Sequence, residues 1–166
     1  MPRRPRFPGF HWVKRDRLIA ERRLDPYQDR AKLKEPTACA NCGAVYHKGR
    51  WQWLAPQPGA HEALCPACHR IHDHFPAGYV TVTGPFVTEH KDEVMRLVKN
   101  EGERAGEEHA LERIMAMEDL ENGIQVTTTD IHLARRIGEA LHHAYQGELE
   151  FHYNEKEYLL RVHWER

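Results

Sequence analysis

The chain has 166 residues, enough for one ordinary domain or two small ones and too few for a large multidomain enzyme. Leu, Ile, Val and Phe supply only 33 of them, a thin stock for a core, yet a net charge of −1 lacks the high-charge signature of full disorder. A sparse core of this kind points to help from a metal, and no apolar run approaches the ~18 residues that a membrane span needs.

Charge is unevenly spread. Residues 1–35 carry a net +6, residues 36–75 a net +1 and residues 76–166 a net −8. The opening stretch is basic but has no apolar core, so it does not read as a secretory signal, and the chain is expected in the cytoplasm. The expected organisation is α+β with four parts. Residues 1–34 form a basic arm, 35–87 a small four-cysteine domain of zinc-ribbon or treble-clef type, 88–121 a helical connector, and 122–166 a β-α-β-β unit.

Taken in order, Pro2, Pro5 and Pro8 exclude a regular helix at the start. Arg3, Arg4 and Arg6 alternate there with Phe7, Phe10 and Trp12, a mixture suited to phosphate contact and to stacking on unpaired bases. It suits equally a tail that docks its rings on its own core, or one that only solvates. Residues 13–24 have helical propensity around Leu18 and Ile19 and add Lys14, Arg15, Arg17, Arg22 and Arg23 to the basic set. Arg50–Leu54 reads as a strand broken by Pro56, Pro58 and Gly59, and Tyr79–Thr83 as another. Thr88 is placed to cap a helix whose stripe is Val94, Leu97 and Val98. Two glycines in Asn100–Gly106 are expected to interrupt it before a shorter helix bearing Leu111, Ile114 and Met115. Ile124–Thr128 is rich in β-branched residues and reads as a strand. After it, Thr129 or Asp130 caps a helix with Ile137 and Leu141 on its apolar face. Gly147 ends it in a left-handed turn. Alternating apolar residues at 149–153 and 158–164 complete two further strands.

The chemistry concentrates in two C-x2-C pairs, Cys39–Cys42 and Cys65–Cys68, with 22 residues between them. Two intervening residues let both thiolates of a pair face one ion, and two pairs close a tetrahedral shell, so one structural Zn2+ is expected. Four unrelated buried cysteines, or a redox pair, fit the spacing less well. Cys65–His69 also matches the haem-attachment pattern, but that chemistry leaves Cys39 and Cys42 unexplained. Cys65–His74 looks like the closing segment of His-Asn-His endonucleases, which would make His69, His72 and His74 catalytic-metal candidates. The base-bearing stretch and the Asn of that pattern are missing. A second anion site is expected at 127–136, where a helix N-terminus meets His132, Arg135 and Arg136. Capping by Asp130 and pairing of the arginines within the chain is the alternative.

Three stretches, residues 26–36, 42–53 and 127–136, resemble a family of short bacterial zinc-knuckle proteins over nearly the whole chain. More remotely, the knuckle domain and C-terminal unit are similar to the N-terminal region of the nonsense-mediated-decay-protein-three family, adaptors of the large ribosomal subunit. Those proteins carry more cysteine pairs than the two present here. The resemblance implies association with the ribosome or rRNA, in translation control, subunit maturation or ribosome storage under stress. The chain is therefore expected to be a non-enzymatic RNA- or ribosome-binding protein, with its acidic C-terminal part facing a basic ribosomal protein and no membrane contact. A divergent metal nuclease and a protein adaptor without nucleic acid are the alternatives.

Overall fold

Two sheets of different character divide the chain between them. The computed structural model describes residues 8–15, 19, 25–28 and 32–166. The first strand, β1 (His11–Val13), is followed by a cluster of three-residue strands: β2 (Thr37–Cys39), β3 (Val45–His47), β4 (Arg50–Gln52) and β5 (His61–Ala63). Helix α1 (Pro66–Asp73) leads into β6 (Gly78–Thr83), then α2 (Pro85–Glu89) and α3 (Lys91–Glu108). The chain finishes with β7 (Ile114–Leu120), β8 (Gly123–Thr128), α4 (Ile131–Tyr145), β9 (Glu148–Asn154) and β10 (Leu159–Glu165).

The larger sheet has six strands in the order β1-β9-β10-β6-β8-β7, and β10 runs parallel to β6 while every other neighbouring pair is antiparallel. One face carries Val80, Val82, Ile124, Val126, Phe151, Leu160, Val162 and Trp164, all fully or almost fully buried. Against these pack Ile131, Leu133, Ile137 and Leu141 of α4 and Val94, Val98 and Ala105 of α3. The alternation expected in the last strands is thus realised, and α4 covers the face they turn inward. The smaller sheet, β4-β3-β2-β5, has a different interior. Its buried cluster is Cys39, Ala44, Cys65, Ala67, Cys68 and Ala110, too few methylene groups to hold four short strands by themselves.

Several expectations are corrected. The helix expected over 13–24 does not begin at Val13, which closes β1 and pairs with Phe151; an edge strand of the large sheet offers hydrogen bonds that a weak helical stripe cannot match. Ile19 is not helical, and the remainder of that stretch lies outside the described residues. Thr88 sits inside the short α2 instead of capping the next helix. The glycines at 102 and 106 do not interrupt α3, which runs unbroken for 18 residues. Gly102 is instead where the helix closes on Ile114 of β7, whose side chain a Cβ would strike. Ile114 and Met115, expected on a helix, lie on β7, so the connector at 88–121 ends as a strand. Its cause is the Glu121–Asn122 turn before Gly123, which folds β7 back onto β8 as a hairpin. Residues 78–83, expected to close the four-cysteine domain at 35–87, instead form β6 between β10 and β8. The elements β8, α4, β9 and β10 follow one another in the chain, but in the sheet β6 lies between β10 and β8.

Candidate metal centre

Each knuckle is built by local chain geometry. Cys39 ends β2, and Gly43 takes φ +80, a left-handed turn that suits glycine, so that the chain reverses into β3. The turn brings Cys42 beside Cys39, with the Gly43 amide on the Cys39 carbonyl and the Cys39 amide on the Ala44 carbonyl. Cys65 is the N-cap of α1, with Pro66 at the first helical position, and its sulfur accepts from the Cys68 amide at 3.4 Å. The second pair therefore sits in the favourable field of a helix N-terminus.

The four sulfurs lie within 4.8 Å of one another, with Cys42 and Cys65 at 3.8 Å. A tetrahedral ion with ~2.3 Å bonds to sulfur has edges of about 3.8 Å, so the cluster has the scale of one four-coordinate site. Among the described residues it is the one His, Cys, Asp and Glu grouping with that property. Donors surround it: the Cys65 amide reaches Cys39 Sγ at 3.3 Å and the Ala44 amide reaches Cys42 Sγ at 3.5 Å. Burial raises the Cys39 pKa, but the Cys65, Cys42 and Asn41 amides outweigh it and bring the thiol down to about 6. Burial dominates at Cys42 and Cys65 and holds both above the ordinary thiol range. A soft cation would remove that cost by taking the charge the buried sulfurs resist carrying alone.

Arg113 is the residue that sequence reasoning missed. Its Nη1 donates to Cys68 Sγ at 3.1 Å, and its Nη2 to Cys42 Sγ at 3.1 Å and Cys65 Sγ at 3.6 Å. Burial alone would depress its pKa; the bonds to Cys68 and Cys42 hold it above the ordinary value instead. Nε donates to the Ala110 carbonyl, the backbone amide to Thr129 Oγ1, and the guanidinium lies 5.4 Å from the Trp53 ring centre. One residue, through its side chain and its backbone amide, thus ties the sulfur cluster to the β8–α4 junction. No sequence motif marks it, because its three sulfurs come from positions 45 to 71 residues away.

The other candidates are dispersed. Arg3, Arg4, Arg6, Phe7, Arg17, Arg22 and Arg23 lie outside the described residues. Phe10 and Tyr79 flank the Arg161 guanidinium at 5.4 and 4.7 Å. Trp12, 53% exposed, pairs across β1 and β9 with His152, and Lys14 is exposed. Arg15 reaches Glu139 at 3.4 Å and His142 at 2.7 Å, and its carbonyl accepts from Arg135. Arg136 is committed to Glu101 and Glu108, and the Asp130 carboxylate caps α4 by accepting from the His132 and Leu133 amides. At the α4 N-terminus the structure therefore realises the capping alternative. His69 and His72 both meet Asp73, which also accepts from Tyr27, while His74 forms the left-handed end of α1.

No family model matches the chain, and no curated protein or solved structure matches it at a significant level.

Proposed function

We propose that the chain is a non-enzymatic, zinc-stabilised binding protein that associates with RNA or the ribosome. Zinc suits the four-sulfur shell because it accepts tetrahedral thiolate ligation without redox chemistry. Cys39, Cys42, Cys65 and Cys68 would hold it, in a treble-clef-like unit with one knuckle on a hairpin and the other at a helix start. The metal would supply the cohesion that a cluster of cysteines and alanines lacks, in the cytoplasmic setting that favours free thiols.

One observation carries the nucleic-acid reading. Trp12, His152, Arg161 and Tyr79 are register neighbours across β1, β9, β10 and β6. They stand on the face opposite the one covered by α4. Flat rings beside a guanidinium form the kind of platform on which unpaired bases stack. Strand β1 delivers the basic arm to the edge of this platform. The arrangement supports an arm that lies along single-stranded RNA, with the acidic C-terminal part free for a basic ribosomal protein. The kinship to ribosomal-subunit adaptors belongs to the same proposal.

Binding of the full chain to a labelled single-stranded RNA across a salt series tests it. With roughly four to six phosphates neutralised, log K should fall against log salt with a slope of about −3 to −4. Replacing Arg3, Arg4 and Arg6 with alanine should flatten that slope by about 2, whereas Trp12→Ala should weaken binding by ~1–3 kcal/mol and leave the slope alone. No binding at low salt, and no co-migration with ribosomal particles on a sucrose gradient, would contradict the reading.

A further inference from the structure

Between the four-cysteine unit and the large sheet lies a cleft of about 490 Å³, the size range of small-molecule sites, ~300–1,000 Å³. Aromatic rings form one wall. Tyr46 and Trp51 meet edge to face with centres 5.6 Å apart, and Trp53 beside them is 44% exposed. Carboxylates form the other. Glu107, Glu108, Glu112 and Asp130 all line the cleft, against the single guanidinium of Arg50.

The carboxylates are not equivalent. Glu108 is paired with Arg136, and Asp130 is engaged by the α4 amides. Glu112 is half-buried, yet its carboxylate makes no hydrogen bond or ion pair among the described residues. Burial first, and then the neighbouring Asp130, hold it above the ordinary carboxylate range against the opposing pull of His109, His132 and Arg136. An arriving cation would relieve that cost, and the faces of Trp and Tyr rings attract cations through their quadrupoles. Arg113 already places a guanidinium over Trp53, so at least one of these rings accepts such a partner.

We propose that this cleft binds an organic cation, an ammonium or guanidinium group, with Glu112 as its counter-ion and Trp51 and Trp53 as its aromatic wall. The site is separate from the sheet platform, and its carboxylates would repel RNA phosphates. A failure of RNA binding therefore leaves it standing, and its own failure leaves the RNA reading standing.

The test is a titration of the zinc-loaded full chain, read by tryptophan fluorescence in a Trp12→Phe background. The probes are spermidine, a blocked Gly-Arg-Gly peptide and the same peptide with citrulline in place of arginine. Saturable binding of spermidine alone assigns the cation to a free polyamine, and of the arginine peptide alone to a protein side chain; either supports the site. Glu112→Gln should weaken binding roughly tenfold, the loss of one charge-assisted contact, with the circular dichroism spectrum unchanged. Trp51→Phe, which keeps a ring, should weaken it less than Trp51→Ala. No saturation by either cation at millimolar concentration, equal binding of the citrulline peptide, or unchanged affinity in Glu112→Gln would overturn the proposal.

Discussion

Arg113 holds three of the four sulfurs through a single planar fork, a geometry that lysine cannot copy. Replacing it with alanine removes the guanidinium charge and leaves the backbone amides as the sulfurs' donors, so metal affinity should drop by ~10–100-fold in chelator competition, the usual weight of an outer partner of a metal ligand. Arg113→Lys should fall between the two, and an unchanged affinity for alanine would show that the guanidinium is incidental. Glu112 gives a second residue-level expectation. Its folded-state pKa is raised by burial and by Asp130, so as pH rises the unfolded chain releases this proton first. The folded state is penalised once pH exceeds the unfolded value, and the penalty is complete above the raised folded value. Glu112→Gln should therefore be more stable than the parent at pH 7.5, with the advantage shrinking as pH falls through that window. Urea midpoints at several pH values measure it; a pH-independent difference would contradict the assignment. The cysteines were legible in the sequence because their spacing is local. Arg113 and Glu112 were not, because their roles arise only where distant segments meet.

Helix α1 is fixed to the segment before it by a buried ion pair. Arg70 is fully buried and donates to Asp25 at 2.7 Å and to the Phe75 carbonyl at 2.9 Å, with the Tyr27 ring 4.4 Å from its guanidinium carbon. Its Nε has no acceptor among the described residues, so the guanidinium is held by the Asp25 carboxylate and the Phe75 carbonyl. Asp25→Ala would strand that charge in the interior and should cost ~3–5 kcal/mol, seen as a lower denaturation midpoint. A loss under about 1 kcal/mol would mean that water reaches the site and that the pair behaves as a surface one. Element by element, α4, β8, β9 and β10 follow from periodicity, since one face of each is buried and the pattern alternates at the matching period. The strand β7 did not, because Leu111, Ile114 and Met115 mimic a helical stripe at i, i+3, i+4. The Asn122–Gly123 dipeptide was the available hairpin signal. Likewise Gly102 reads as a helix breaker in isolation and is a packing contact in the fold.

At the scale of the molecule, two stabilising strategies share one chain. The six-stranded sheet rests on large apolar residues, Trp164, Phe151, Ile124 and Leu141 among them, while the four-stranded sheet buries chiefly cysteine and alanine. The sequence announced this division through its thin apolar content and paired cysteines, but not that β6 would cross from one predicted domain into the other sheet. A strand of alternating Val80 and Val82 carries no mark of its partner, and its parallel register with β10 spans about eighty residues of chain. Structural zinc contributes ~10–16 kcal/mol in small fingers. Native mass spectrometry of the purified full chain, beside Cys65→Ser, tests the metal centre most directly. The expected result is a folded charge-state envelope carrying about one zinc ion per chain, as a closed four-thiolate shell requires, with zinc absent from the variant. A folded, metal-free parent that gains no zinc on addition would contradict it.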